Sequence, residues 1–166
     1  MDMKLDLLAI VAHPDDAELG CSGTLVKHIA LGHKAGIVDL TRGELGTRGT
    51  AEIRMQEAAE AARVLGLHAR ENLGLRDGRF QNNEEDQLAV IRAVRKYRPE
   101  IVITNAPEDR HPDHGRAARL VADACFYAGL NRIRTDEDGV EQQAWRPKNL
   151  FHFVQSQSLQ IGRAHV

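Results

Sequence analysis

A chain of 166 residues, 42% hydrophobic and 28% charged, has the composition of one globular domain, long enough for its own core and too short for two. Its 22 Lys and Arg nearly balance 24 Asp and Glu, a formal net charge of -2, so no basic surplus invites nucleic acid and no acidic tail is present. Aromatic residues make up only 4%, against a base- or sugar-stacking platform, and no apolar run approaches the roughly 18–20 residues of a membrane span. The start, Met-Asp-Met-Lys, leads into a strand-like run without a signal-peptide pattern. Cys21 and Cys125 are too few for a disulfide scaffold and too far apart for a cysteine zinc knuckle, so two helix-packed thiols are expected. A cytoplasmic, soluble, single-domain protein follows as the expectation, with no nucleic-acid or membrane partner.

The elements alternate along the chain. Leu5–Ala12 is a continuous apolar run of strand length, the pattern of a strand buried on both faces. A turn-rich stretch leads to a helical segment reaching about His33, in which Ser22, Leu25, Val26, Ile29 and Ala30 fall at helical spacing and Gly32 is the stop. Ala35–Thr41 is a second short apolar strand. Ala51–Leu65 is an Ala- and Glu-rich helix with Gly66 as its C-terminal stop. A weaker strand is expected near Arg70–Leu75, then a helix over Glu84–Arg98 closed by Pro99, and a strand at Glu100–Thr104. Gly115–Ala128 carries Ala117, Leu120, Val121, Ala124, Cys125 and Ala128 at helical spacing. The polar stretch 131–149 reads as a surface excursion before a last strand, Leu150–Gln155.

Strands alternating with helices of this length imply βαβ units, hence a Rossmann-like three-layer α/β fold with a mainly parallel sheet. In such a sheet the loops leaving the strand C-termini gather on one edge, where ligands bind. Two clusters leave strands in that way: His13-Pro14-Asp15-Asp16 after the first, and His111-Pro112-Asp113-His114 after the fourth. They lie far apart in sequence, yet topology carries both to one edge. A site is therefore expected at the C-terminal ends of the strands.

Two histidines and one carboxylate are a common protein ligand set for a catalytic zinc, with the fourth position left to water. His13, Asp16 and His114 can supply them. Asp15 then remains as a carboxylate placed to take a proton from water that zinc has acidified. His111 can donate to an oxyanion or protonate a leaving group, and Asp113 can orient one of the histidines. A single His-Pro turn after a strand is ordinarily a turn and nothing more; two His/Asp-rich turns at two strand ends of one sheet favour a metal site. His28, His33, His68 and His152 stand singly and read as surface or packed residues.

After the second strand, Thr41–Thr50 carries Gly43, Gly46 and Gly49 at three-residue intervals, a loop whose backbone can approach a ligand closely. It lacks the Gly-Lys-Ser/Thr of a Walker loop, and it is not in the first βα turn where a dinucleotide fingerprint belongs. Arg54 follows on the first turn of the next helix, as a bidentate clamp for an anionic group or as a solvated surface residue.

These residues resemble the PIG-L or LmbE-like deacetylases, zinc enzymes that remove acetyl groups from N-acetylglucosamine conjugates. The matching pieces are Ala12–Asp16 with Glu18 and Gly20, the loop from Thr41 to Gly49 with Arg54, and His111–His114; the resemblance runs from about Leu5 to Gln155. Thr47–Arg54, Glu108–His114 and Cys125–Ile133 look most like the bacillithiol-biosynthesis branch, which acts on N-acetylglucosaminyl malate. The resemblance implies zinc held by His13, Asp16 and His114, with ferrous iron as an alternative metal. It implies Asp15 as general base, protonated His111 as stabiliser of the tetrahedral intermediate, and Arg54, with Arg110 as a weaker candidate, in substrate binding. A small amino-sugar conjugate is the implied partner, and a homo-oligomer is expected.

Family members continue past the point where this chain stops. Residues 1–155 are therefore expected to be a C-terminally truncated deacetylase domain and 156–166 an unmatched tail without helical periodicity. On that basis the last strand is expected to be underpacked, with an apolar patch near Leu150, Phe151 and Phe153. Two other readings compete. His13-x-Asp15 with His114 also spells the two-His-one-carboxylate set of non-haem iron oxygenases, which are typically all-β barrels. A non-catalytic ligand-binding or assembly domain is the second, against which Asp15 stands as a carboxylate that a purely structural zinc does not need.

Overall fold

The structure is a computed structural model and describes residues 3–155. Its elements run β1 (Leu7–Val11), α1 (Asp16–Gly20), α2 (Ser22–Ala30), β2 (Ala35–Thr41), α3 (Ala51–Leu65), β3 (Ala69–Leu75), α4 (Glu84–Tyr97), β4 (Ile101–Thr104), α5 (Pro112–Tyr127), β5 (Asp136–Glu137), β6 (Val140–Glu141) and β7 (Asn149–His152). Five strands form one sheet in the order β3-β2-β1-β4-β7, every pairing parallel; β5 and β6 form a separate antiparallel pair. The expected α/β fold with a parallel sheet is therefore present.

Burial follows from the alternation of side chains along each strand. In β1, Leu8 and Ile10 join Val38, Leu40 and Val102 beneath α4 and α5, which contribute Val90, Ile91, Val94, Leu120, Val121 and Ala124. Leu7, Ala9 and Val11 point the other way and meet Ala17, Cys21, Leu25, Ala35 and Ile37. Both faces are covered, which is why β1 and β2 are apolar along almost their whole length and fully buried. Helix ends carry their own signals. Asn83 caps α4 by accepting the Asp86 N–H at 2.9 Å, acidic residues fill its first turn, and Arg95 and Lys96 its last. Gly66 stops α3 in the left-handed conformation.

Four local features differ from the sequence expectation. The expected first helix is α2, but the turn-rich stretch before it holds a further short helix, α1, set off at Cys21, whose backbone (φ −146°, ψ 11°) is not helical. Helix α5 begins at Pro112, not Gly115, because proline fits the first turn, where its missing N–H costs nothing. The excursion 131–149 contains the β5–β6 pair, turned by Asp138 and Gly139, both at positive φ. The last strand ends at His152 rather than Gln155.

The expected apolar patch is present in part, at Phe151 and the neighbouring Val154, both exposed. Phe153 is buried against the α1–α2 side of the sheet, and Leu150 packs against the α4–α5 core, leaving Phe151 exposed among the three. The tail 156–166 lies outside the described residues. Among the described residues, no helix is long and apolar enough to cross a membrane.

Strand order reverses at β1: β2 and β3 extend to one side, β4 and β7 to the other. The crevice at such a switch point is where doubly wound sheets bind ligands, and the loops leaving β1 and β4 are those that carry the two His/Asp motifs.

Candidate functional site

A cavity of about 820 Å³ opens over the C-terminal edge of the sheet, and all five strand exits line it. His13, Asp15 and Asp16 come from β1, Gly43, Leu45 and Gly46 from β2, and Asp77 and Gly78 from β3. Asp109 to His114 come from β4, and Val154 and Gln155 from β7; Arg54 reaches in from α3. Every site residue anticipated from the sequence borders this one cavity.

Asp16 is the hinge of the cluster. Its Oδ2 accepts the backbone N–H of His13 at 3.0 Å and lies 3.4 Å from His13 Nδ1, while Oδ1 is 3.1 Å from His114 Nε2. The far nitrogen of each histidine faces other carboxylates. His13 Nε2 is 3.1 Å from Asp77 Oδ1 and 3.2 Å from Asp113 Oδ2, and His114 Nδ1 is 3.1 Å from Asp109 Oδ1. Imidazoles held from behind by carboxylates, with their inner nitrogens converging, have the arrangement that metal-ligating histidines show. Ligand atoms of His13, His111 and His114 also lie within 4.8 Å of one another, as do those of His13, Asp77 and Asp113, so this region has donors enough to hold an ion.

Local charge follows from these contacts. Burial opposes a proton on His13, but the hydrogen bond and charge of Asp16, then Asp77 and Asp113, push it up to about 9. His114 is raised in the same way by Asp16 against burial. Burial works against the Asp16 anion, yet hydrogen bonds from His114 and His13 hold it well below the usual carboxylate range. The carboxylates thus create a demand for positive charge at the two imidazoles.

Asp15 is different. Its side chain is 54% exposed, and burial of the remainder, followed by the Asp16 charge, raises its pKa while Arg54 draws it back. Its backbone sits at φ 138°, ψ −23°, which side-chain-bearing residues rarely adopt and which costs about 1–3 kcal/mol. Arg54 Nη1 lies 3.9 Å from Asp15 Oδ2. The glycine loop is the socket for this arginine: at Gly43 (φ 64°) a Cβ would stand 2.6 Å from Arg54 Nη1, and at Gly46 3.1 Å from Nη2.

His111 caps α5, its Nδ1 accepting the Asp113 N–H at 3.3 Å. Its proton therefore sits on Nε2 in the neutral ring. Burial, then the charges of His13 and His114, lower its pKa. With Nδ1 so engaged, Nε2–H is the donor that the ring offers to the cavity. Asp113 is buried, and besides His13 it accepts the Gly78 N–H at 2.9 Å and pairs with Arg116 at 2.6 Å.

Sequence reading missed three residues. Asp77 touches His13 and accepts the Leu45 N–H at 2.9 Å, joining the glycine loop to the histidine. Asn105, fully buried, accepts the Ala12 N–H at 3.0 Å and donates to Asp16 Oδ2 at 3.2 Å. Asp109 backs His114. A polar residue directly after an apolar strand was the available signal for Asn105.

The family model described as PIG-L, GlcNAc-PI de-N-acetylase, matches residues 8–125. This chain belongs to the PIG-L family. Among PIG-L relatives, the diacetylchitobiose deacetylase of Thermococcus kodakarensis is 32% identical over 78% of this chain and 53% of its own length. The crystal structure of the conserved protein TT1542 from Thermus thermophilus superposes with a TM-score of 0.85 at 44% identity, over 94% of this chain and 69% of that one. The N,N'-diacetylchitobiose deacetylase from Pyrococcus horikoshii superposes with a TM-score of 0.71 at 30% identity, over 76% of this chain and 51% of that one. The chain spans about half to three fifths of the length of the first curated PIG-L relatives it matches.

Proposed function

We propose that this chain is the catalytic core of a zinc-dependent N-deacetylase acting on N-acetylglucosamine conjugates, with His13, Asp16 and His114 as metal ligands. One observation carries the reading: Asp16 joins the inner nitrogens of both histidines, while carboxylates back their outer nitrogens. The donor set fits the metal, since two imidazoles and a carboxylate leave a coordination position open for chemistry. The oxygenase pattern fits less well, because Asp16, not Asp15, lies between the histidines and the sheet is parallel.

Bound zinc supplies Lewis acidity that polarises an amide carbonyl and acidifies water. Asp15, raised and half-exposed at the cavity, takes the proton of the attacking water. The Nε2–H of His111 donates to the carbonyl oxygen as negative charge gathers there, a contact worth roughly 3–4 kcal/mol in other acyl-transfer sites. Protonated Asp15 then gives its proton to the leaving nitrogen, and the C–N bond breaks to acetate and a free amine. Arg54, with Arg110 on the cavity wall, binds the rest of the substrate. The branch resemblance points to N-acetylglucosaminyl malate, whose carboxylates match an arginine fork. Deacetylases named for diacetylchitobiose and for an inositol conjugate of acetamidoglucose are the relatives that bracket this substrate class.

The test is metal analysis combined with amine release from the malate conjugate, diacetylchitobiose, the inositol conjugate and free N-acetylglucosamine. The expected result is about one zinc per chain, lost together with activity when His13, Asp16 or His114 becomes Ala. Full zinc occupancy in two of those variants overturns the ligand set, and no amine release from any of the four substrates overturns the deacetylase reading. Arg54→Lys should harm turnover of the malate conjugate nearly as much as Arg54→Ala does; equal penalties on free N-acetylglucosamine remove the carboxylate role.

A further inference from the structure

One buried guanidinium touches three elements. Arg70 on β3 holds Asp39 on β2 through Nε at 2.9 Å and Nη2 at 3.1 Å. Its Nη1 donates to Glu18 on α1 and, at 3.1 Å, to the carbonyl of Ala58 on α3. Glu18 is two residues beyond Asp16 and three beyond Asp15. Ala58 lies about one helical turn beyond Arg54.

Packing alone does not call for these charges. Apolar residues of similar volume often serve a core as well as a buried ion pair or better. The second oxygen of Glu18 is, moreover, buried without a hydrogen-bond partner among the described residues, which adds a desolvation cost. What the charges provide is direction: α1 and α3 are fixed to the sheet through the same atom, Nη1. Between those helices lie the Asp15–Arg54 pair, 3.9 Å apart, and the strained Asp15 backbone that α1 must hold in place.

We propose that Arg70 is a positioning residue: by gripping Glu18 and the Ala58 carbonyl together, it sets the spacing between the Asp15–Asp16 turn and Arg54. The activity arm of this inference rests on the deacetylase reading; its geometric arm does not.

The variants are Glu18→Leu, which cuts the tie to α1, Glu18→Leu/Asp39→Leu/Arg70→Met, which replaces all three charges by apolar volume and leaves none unpaired, and Arg70→Lys, which keeps the charge and loses the fork in case the others do not fold. Each is compared with wild type in urea unfolding, zinc affinity by chelator competition, kcat and KM on free N-acetylglucosamine, and the Asp15–Arg54 distance in a crystal structure. The expected result is near-wild-type unfolding, zinc affinity weaker by about tenfold, kcat lower by about 10²-fold with KM little changed, and the distance altered by about 1 Å. Loss of stability in step with kcat would make Arg70 a purely structural residue and overturn the proposal. So would an unchanged distance, whether or not the wild-type protein releases acetate. Failure of the deacetylase reading shows separately, as inactivity of wild type itself.

Discussion

Asp77 presents one carboxylate oxygen to His13 Nε2 at 3.1 Å, although it leaves the sheet from β3 and His13 from β1. Its other oxygen accepts the Leu45 N–H, and its own N–H donates to Glu44 Oε1 at 2.9 Å. One buried side chain thereby fixes the ring of a proposed metal ligand and the entry of the glycine loop.

Asp77→Asn keeps the shape and removes the charge behind His13. Carboxylates in this position typically contribute 10–100-fold to metal affinity. We expect zinc to bind about tenfold more weakly, with the far-ultraviolet spectrum unchanged. Chelator competition measures this. An unchanged affinity would show that Asp113, 3.2 Å from the same nitrogen, suffices and that Asp77 only fastens the loop.

Asp15→Asn should separate metal binding from turnover. The side chain is half-exposed and is joined to Arg54, not to the histidine pair that Asp16 spans. Zinc should stay bound while kcat falls by about 10²–10⁴-fold, the usual worth of general acid–base catalysis. Zinc loss in this variant, or near-normal turnover, places the base elsewhere.

Much of this site is legible in the sequence because parallel topology does the assembly. Once Leu5–Ala12 and Glu100–Thr104 read as strands of one parallel sheet, His13–Asp16 and His111–His114 must share an edge, and they do. The residues behind them are not legible in that way. Asp77 and Asp109 sit in loops with no periodicity, and their roles come from tertiary contacts to histidines on other strand exits. Helix α1 escaped because its five residues are too few to show a helical period. The burial of Phe153 escaped because it depends on Gly20, which leaves room for the ring.

Gly20 supplies that room. A Cβ there would fall inside van der Waals contact of the Phe153 ring, which is buried against Ala17 and Leu25. Gly20→Ala should therefore cost about 1–3 kcal/mol through overpacking, despite alanine's better helix propensity. Urea unfolding checks this, and Gly20→Ala/Phe153→Leu should recover part of the loss. A stability equal to or above wild type would mean that the chain after β7 is not held against α1.

Asp39 predicts a pH dependence whose sign can be fixed. Burial raises its pKa from 3.8 to about 6, Arg70 pulls it down through hydrogen bonds and charge, and Glu18 and Asp16 push it up. Because the folded state binds this proton more tightly than the unfolded chain, the stabilisation from protonated Asp39 is complete below about pH 4. It is lost as pH rises through about 6. Asp39→Asn fixes the neutral form and removes the titration. The stability of wild type relative to Asp39→Asn should therefore fall between pH 4 and pH 6.5, by on the order of 2 kcal/mol, and level off above. Urea unfolding of both proteins across this range, in chelator so that metal linkage does not intrude, gives the two profiles. Parallel profiles would show that Arg70 holds Asp39 ionised throughout and that burial does not govern this carboxylate.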